Sequence, residues 1–169
     1  IDNCDLKNNG LVATIGQFDG IHIAHQILIE KVCELSEEKE LKSAVITFDP
    51  HPDLVLKKDA NATSIMTLDE KAALIASMGI DYLIVVEFNQ NVANMTDSEF
   101  VNQFLIKLNV KEIVVGFDFC FGKNGIGKAE TISKLANGKI NTTIIDNKKH
   151  NILVNKFCGN KVRINDITI

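Results

Sequence analysis

Short apolar runs alternate with helix-like segments along most of this chain, and this alternation constrains the fold more than any other feature. Five runs rich in Val, Ile and Leu are interpreted as strands: Leu11–Ile15, Ala44–Phe48, Tyr82–Val86, Glu112–Gly116 and a stretch around Thr142–Asp146. Continuous apolar runs are buried on both faces, which is typical of parallel sheets. The sequence therefore predicts an α/β fold, a doubly wound, three-layer parallel sheet of the Rossmann-like type.

The segments between these runs have the spacing of amphipathic helices. The first is predicted from His25 to about Glu38, with an inner stripe of Ile29, Val32, Cys33 and Leu35. A capping box over Thr67–Glu70 opens a second helix that runs through Met78, with Gly79 as its C-cap. A capping box over Thr96–Glu99 opens a third, whose buried face is Phe100, Val101, Phe104, Leu105 and Leu108. A short helix near Ala129–Ala136 is predicted after the fourth strand.

The remaining segments lack such periodicity. Leu56–Ser64 is polar and is interpreted as a loop. Residues 147–150 are typical of a turn, and 151–157 and 161–169 of extended chain.

Bulk composition narrows the class of protein. The 169 residues fit one domain, predicted over 1–169, and 46% hydrophobic with 24% charged residues is ordinary for a globular protein. A net charge of −4 argues against a nucleic-acid partner. No apolar run approaches the ~20 residues that cross a bilayer, and no signal peptide is visible, so we expect a cytoplasmic protein. The four cysteines lack metal-site spacing, so we expect reduced thiols, with neither a metal nor a disulfide.

The segment from Gly16 to His25 has the form of a phosphate cradle. It reads Gly-Gln-Phe-Asp-Gly-Ile-His-Ile-Ala-His, and it joins the first strand to the first helix. Backbone amides at a helix start are unpaired and partly positive, and histidines can add further donors to phosphate oxygens. This pattern indicates nucleotide chemistry.

Two further polar motifs follow other strands. Asp49-Pro-His51-Pro52 comes after the second strand, and Gly116-Phe-Asp118-Phe119 after the fourth. Ligands of open parallel sheets bind at the carboxyl ends of the strands, near the switch point of strand order. We therefore expect all three motifs to face one site.

These motifs resemble those of a known family. The segment from His22 to His25 resembles the H-x-G-H signature of the nucleotidylyltransferase superfamily. With Thr47-Phe-Asp-Pro-His-Pro52 and Gly116-Phe-Asp-Phe-Cys-Phe-Gly122, it is similar to the adenylyltransferase (FAD synthetase) module of bacterial bifunctional riboflavin kinase/FMN adenylyltransferases. The resemblance covers roughly Leu11 to Ala136. The riboflavin kinase module of that family is not found in this chain, so phosphorylation of riboflavin is not predicted.

The resemblance implies a reaction and its substrates. ATP and FMN would give FAD and pyrophosphate, with Mg²⁺ accompanying ATP. The FMN phosphate would attack the α-phosphorus in line, so no protein nucleophile is needed, and the enzyme would position two anions and stabilise developing charge. No protein partner is implied.

The resemblance also assigns roles to residues. His22 and His25 would be the catalytic residues, which donate hydrogen bonds to the ATP phosphates. An imidazolium is expected beside polyphosphate. The ATP site would comprise Gly16, Phe18, Asp19, Gly20, Ala24, Lys161 and Arg163. The flavin site would comprise Phe48, Pro50, His51, Pro52, Asp118 and Phe119. From the residues themselves, Phe18 is expected to pack rather than to contact ligand, and Asp19 to hold the turn by accepting backbone amides rather than to bind metal. The alternative interpretation of His51 is a surface histidine in a strand-ending turn.

Two departures from the family pattern leave alternatives open. Ala24 stands where the signature has glycine, so we expect weaker or displaced ATP binding. The Ser-Ser-Thr-Arg signature is absent, and its nearest substitute, around Asn160–Ile164, offers Lys161 and the chain's single arginine, Arg163. Either a substitute exists, or sequence is missing, or activity is weak. The alternatives to FMN adenylyl transfer are another phosphate acceptor, such as a nicotinate or pantetheine phosphate, and a non-catalytic flavin- or nucleotide-binding homologue.

The glycine-rich segment Gly122–Ala129 nearly matches a P-loop. Ala129 replaces the hydroxyl residue that holds Mg²⁺ there, so we do not predict a P-loop, although Lys123 and Lys128 could attract anionic substrates.

Overall fold

The structure, a computed structural model, describes residues 10–56 and 64–146 of the chain. The strands found in these ranges are β1 (Leu11–Ile15), β2 (Lys42–Asp49), β3 (Tyr82–Glu87), β4 (Val110–Gly116), β5 (Cys120–Phe121), β6 (Gly127–Lys128) and β7 (Asn141–Ile145). Five of them form one sheet in the order β3-β2-β1-β4-β7, and every neighbouring pair is parallel. The β5 and β6 strands form a small antiparallel pair outside this sheet. The predicted parallel sheet is thus confirmed, and all five predicted strands are present.

Helices connect the strands of the large sheet. They are α1 (Ile23–Glu38), α2 (Pro52–Val55), α3 (Leu68–Ser77), α4 (Gln90–Ala93), α5 (Asp97–Glu99, continued by a π-helix over Phe100–Leu105) and α6 (Ile132–Leu135, preceded by a 3₁₀ turn over Ala129–Thr131). Both predicted capping boxes form, with Thr67 and Thr96 as the N-caps. Within the described ranges, no helix is long and apolar enough to cross a bilayer.

Two apolar cores lie on opposite faces of the sheet, which makes three layers. On one face Val12, Val45 and Val114 pack against α1 and α3, through residues that include Ile29, Val32 and Ile75. On the other, residues such as Ala13, Ile46 and Ile113 pack against α5 and α6, through Phe100, Val101, Leu105 and Ile132. Neighbouring residues of one strand thus enter different cores, as pleated backbone requires. A strand buried on both faces must be apolar throughout, which explains the continuous apolar runs of the sequence.

Four helical details differ from expectation. Helix α1 begins at Ile23, two residues before His25, because the N-cap is His22, and histidine is not a residue type that signals a cap. Cys33 in its inner stripe is only partly buried. The helix after Thr96 changes to π geometry, in which the Ile106 amide donates to the Val101 carbonyl at 3.0 Å. Helix α3 ends at Ser77, one residue before the predicted end, and its C-cap is Met78; Gly79 follows the cap with a φ of 89°.

The strand order fixes where a ligand can bind. The chain moves from β1 to β2 and β3 on one side, through α1 and α3, and then crosses to β4 and β7 on the other, through α5 and α6. The switch point therefore lies between β1 and β4, and ligands of such sheets bind at the carboxyl ends of the strands there. The predicted loop and C-terminal segments at 57–63 and 147–169 lie outside the described residues.

Candidate active site

The turn that follows β1 is held in an unusual backbone conformation. Its start is fixed because the Gly16 amide donates to the Ile46 carbonyl at 3.0 Å. Phe18, Gly20 and Ile21 then adopt φ values of 49°, 73° and 35°. A positive φ is ordinary for glycine but strained for a β-branched residue such as Ile21. The Phe18 and Ile21 side chains are 0% and 3% exposed in the core beneath the turn, and this burial holds the strained backbone in place.

Phe18 packs as expected from the sequence. Its ring belongs to the core on the α1 face of the sheet and lies under the His25 ring, with centroids 4.7 Å apart. A fully buried side chain cannot touch a ligand in solvent, so any contribution of Phe18 to ATP binding has to come from its backbone.

The start of α1 is left open toward solvent. No side chain caps its first amides, and its first turn carries no acidic residue. The first intrahelical bond that closes the turn runs from the Gln26 amide to the His22 carbonyl, at 3.1 Å. The amides of the first helical residues are therefore available to an anion, and the helix dipole adds to their positive potential.

Ala24, at the second position of α1, occupies the place of the signature glycine. It is not among the positive-φ positions of the described residues, so its backbone needs no left-handed conformation. Alanine can replace glycine at a position where φ is negative, and Ala24 meets this condition. What remains is one methyl group at the helix start.

His22 and His25 stack on each other beside this helix start. Their ring centroids are 3.8 Å apart and their planes meet at 28°. The pKa of His25 is lowered from 6.5 to about 4, first by burial and then by the charges of His22 and Lys71, with Asp19 opposing them. The buried Nδ1 of His25 has no hydrogen-bond partner among the described residues. His25 is therefore neutral at pH 7 in this environment. The imidazolium predicted from the sequence requires polyphosphate beside the ring, because a neighbouring anion raises the pKa of the imidazole.

Asp19 accepts backbone amides, but not those of its own turn. Both carboxylate oxygens accept from the Ile65 amide at 2.9 Å, and one accepts from the Met66 amide at 3.3 Å. The residue therefore ties the turn to the segment that leads into α3. An acceptor role was expected; the distance in sequence to its donors was not.

Lys71 was missed by sequence reasoning and lies directly beneath the turn. It is 4% exposed, and its Nζ donates to the Gln17 carbonyl at 2.7 Å and to Thr47 Oγ1 at 3.4 Å. Thr47 Oγ1 in turn donates to the same Gln17 carbonyl at 2.9 Å. A usable signal was present in the sequence, because Lys71 and the buried Ile75 are one helical turn apart and so share the apolar face of α3.

The motif after β2 forms the N-terminal cap of a helix that was not predicted. His51 is the N-cap of α2, and its Nδ1 accepts from the Asp53 amide at 3.2 Å. Pro52 occupies the first position of that helix, where a missing amide proton costs nothing. Because Nδ1 is used within the motif, Nε2 is the ring nitrogen left for a ligand. Phe48, at the strand end, packs edge-on against Phe88 at 5.5 Å.

The motif after β4 lies at the other flank of β1. A Cβ at Gly116 would lie 2.9 Å from Asp118 Oδ1, so any larger residue there would displace the Asp118 carboxylate. Asp118 is exposed, and the half-buried Phe119 stacks on Phe121 with centroids 5.8 Å apart. Pairing of Thr14 with Val114 brings the ends of the two strands side by side. All three predicted motifs thus lie at the carboxyl edge of adjacent strands, while Lys161 and Arg163 lie outside the described residues.

The glycine-rich segment after Phe121 is not a P-loop. Gly127 is in strand β6, where it pairs with Phe121, so its backbone does not wrap a phosphate. Lys128 Nζ contacts Cys120 Sγ at 2.9 Å, and this contact raises the pKa of the lysine.

Together these features define a class: a doubly wound α/β protein whose switch point carries a strained turn and an uncapped helix start. The chain belongs to the FAD synthetase family, whose family model matches residues 4–154. It is 38% identical over 136 residues to the bifunctional riboflavin kinase/FMN adenylyltransferase of Listeria monocytogenes, covering 80% of this chain and 43% of that one. It is 41% identical over 113 residues to an FAD synthetase of the same organism, covering 66% of this chain and 46% of that one. The chain spans less than half the length of these relatives.

A solved structure shares the fold. The crystal structure described as a macrolide-efflux protein from Streptococcus pneumoniae superposes with a TM-score of 0.72 at 27% identity, covering 81% of this chain and 46% of that chain. The superposition confirms the α/β architecture.

Proposed function

We propose that this chain catalyses adenylyl transfer from ATP to FMN, giving FAD and pyrophosphate. The observation that carries the proposal is the arrangement around β1. The turn with the stacked His22 and His25 follows β1, and the two other family motifs follow its two neighbours in the sheet, β2 and β4. One substrate anion can therefore lie on the turn and helix start while a second substrate lies between the flanking motifs.

In this proposal the protein acts by positioning and by electrostatics. The FMN phosphate oxygen forms a bond to the α-phosphorus of ATP, and the bond from that phosphorus to the bridging oxygen breaks as pyrophosphate leaves. The amides at the start of α1 and the two histidines bind phosphate oxygens, where negative charge grows in the transition state. As polyphosphate approaches, the neutral His25 gains a proton or donates its existing N–H, and either form stabilises the anion.

On the flavin side, the flanking motifs supply apolar and polar contacts. Phe48 and Phe119 are half-buried aromatic residues at the carboxyl ends of β2 and β4, the two strands that flank β1, and they would form walls for the ring system. His51 Nε2 and the exposed Asp118 would bind polar atoms of FMN. These assignments, and those of Pro50 and Pro52, stay predictions, as do the ATP contacts of Lys161 and Arg163, the single-domain organisation and the cytoplasmic location.

Mg²⁺ is proposed to arrive bound to the phosphates of ATP, whose charge it neutralises. Magnesium sites in such enzymes combine one or two carboxylates with substrate phosphates rather than a complete protein cage. Asp19 is not proposed as a ligand of Mg²⁺, because both of its carboxylate oxygens already accept hydrogen bonds from backbone amides. The exposed Asp49 at the end of β2 is the carboxylate that would fit, since Asp118 is assigned to FMN.

The direct test is product formation. The full chain is incubated with ATP, FMN and Mg²⁺, and FAD and pyrophosphate are quantified by chromatography and a coupled assay. We expect both products in equal amounts, and a loss of at least ~100-fold on replacing His25→Ala, the scale seen when a transition-state donor is deleted. Lys31→Ala, on the exposed face of the same helix, is the matched control and should keep wild-type activity. If pyrophosphate forms only in the presence of a nicotinate or pantetheine phosphate, that compound and not FMN is the acceptor. If FMN or ATP binds but no pyrophosphate is released, the chain is a non-catalytic binding protein.

A further inference from the structure

Lys71 is a buried cation with an unusual location. Lysine side chains are rarely buried, because an ammonium loses its hydration and gains little in an apolar environment. Lys71 is nevertheless 4% exposed, on the face of α3 that also carries the buried Ile75. Burial accordingly lowers the pKa of this lysine, while Asp19 and Asp49 raise it. An apolar residue of the same length would fill this place at a lower desolvation cost, so packing alone does not explain a buried ammonium group here.

Its hydrogen bonds supply that reason. The Nζ donates to the Gln17 carbonyl at 2.7 Å, and Gln17 follows directly on the strand-ending Gly16. It also donates to Thr47 Oγ1 at 3.4 Å, and that hydroxyl donates to the same carbonyl. Lys71 therefore joins the end of β1 to the end of β2 from below, at the first residue of the turn that presents the histidines.

Asp19 makes the second connection between the turn and α3. Its carboxylate accepts from the amides of Ile65 and Met66, which precede the helix. The N-terminal part of α3 thus holds the turn at two points, Gln17 and Asp19, on either side of the buried Phe18 ring. Two attachments that flank one residue fix the direction of the turn as well as its position.

We propose that Lys71 is a positioning residue for adenylyl transfer: its buried ammonium fixes the Gln17 carbonyl and so orients the turn and the histidine pair, and it places a permanent positive charge beneath the bound phosphates. This inference rests on the proposed function for the identity of the nucleotide. The titratable groups whose charges act on His25 are His22, Lys71 and Asp19. Those that act on Lys71 are Asp19 and Asp49.

A purely structural role and the proposed role predict different results. If Lys71 only stabilises the fold, replacing it lowers the free energy of unfolding, shifts the His25 titration only through the lost charge, and leaves the affinity for ATP unchanged in the folded protein. If it positions and charges the cradle, the folded variants have an altered His25 titration and weakened nucleotide binding.

The test uses Lys71→Gln, Lys71→Met and Thr47→Val in the full chain. The Gln variant keeps a donor without charge, the Met variant removes both, and Thr47→Val removes the second partner while leaving the lysine. Histidine titrations are followed by NMR and MgATP binding by calorimetry, on variants whose spectra show that they are folded. Lys31→Met, which removes a positive charge from the exposed surface of α1, is the matched control.

We expect both neutral Lys71 variants to move the His25 midpoint to higher pH by at least about 0.3, because a neighbouring positive charge disfavours the imidazolium. We expect their Kd for MgATP to rise about tenfold, and that of Thr47→Val about threefold, the scale of a lost hydrogen bond to a charged group and to a neutral one. Lys31→Met should change neither quantity. The proposal is overturned if Thr47→Val and a folded neutral Lys71 variant both bind MgATP with a Kd within about twofold of the wild-type value. If neither Lys71 variant folds, the Kd of Thr47→Val alone decides the outcome.

FAD synthesis by the wild type separates this inference from the proposed function. If the wild type makes no FAD but the variants lose MgATP affinity, the proposed reaction fails and the positioning role stands for another nucleotide reaction. If the wild type makes FAD and the variants bind MgATP normally, the reaction stands and the positioning role fails.

Discussion

The buried state of His25 makes the stability of this protein depend on pH. The pKa of His25 is lowered from 6.5 to about 4 in the folded chain. Between these values the unfolded chain binds more protons than the folded one, so stability is complete above pH 6.5 and is lost as the pH falls toward 4. Going from about pH 7 to about pH 5 should therefore cost the wild type about 2 kcal/mol through this residue, and about 1.5 kcal/mol after allowing for solvent screening at the partly exposed ring.

Urea denaturation at the two pH values measures this cost. The wild type should lose about 1.5 kcal/mol more than His25→Gln does between about pH 7 and about pH 5, because the variant has no imidazole to protonate at this position. Other titrating groups are common to both proteins and cancel in the difference. Val32→Ala, a cavity in the same helix, should lower stability at both pH values and keep the wild-type pH dependence. Equal losses for wild type and His25→Gln, to within about 0.5 kcal/mol, would refute the assignment of a depressed pKa to His25.

Three further substitutions test the fold that supports the site. Thr67→Ala removes the N-cap of α3 and should lower Tm by about 3 °C in a thermal scan. Gly122→Ala should cost about 3 kcal/mol in urea denaturation, because Gly122 has a φ of 72° and an added Cβ would lie 2.8 Å from the Asp97 amide nitrogen; a loss under about 1 kcal/mol would contradict this backbone. Glu112→Gln neutralises this buried carboxylate, which pairs with the partly exposed Lys39, and should cost about 1 kcal/mol, whereas Lys39→Met should cost more because it leaves the buried carboxylate without its cation.

The sheet and its helices could be predicted because their signals are local. A run such as Leu11–Ile15 is apolar throughout since both faces are buried, and the capping boxes at Thr67 and Thr96 declare two helix starts within four residues. The π segment over Phe100–Leu105 was not predictable, because the same apolar spacing fits an ordinary α-helix. The short helices α2 and α4 are too brief to have a periodicity of their own.

The site divides in the same way. The histidines and the three polar motifs could be found because each is continuous in sequence and each follows a predictable strand. The contacts of Asp19 with Ile65 and of Lys71 with Gln17 could not be found, because their partners are far apart along the chain. The neutral state of His25 depends on burial by the folded chain, which a motif does not encode.

The central position of β1 has a consequence for how the protein is made. This strand is synthesised before β2, with which it pairs, yet its other edge pairs with β4, which begins only at Val110. Until β4 emerges from the ribosome, β1 presents an unpaired apolar edge of the kind that invites association with other chains. Nascent chains that stop between β3 and β4 should therefore be the aggregation-prone species. The site around the turn from Gly16 to His25 should form late in folding, when the two halves of the sheet meet.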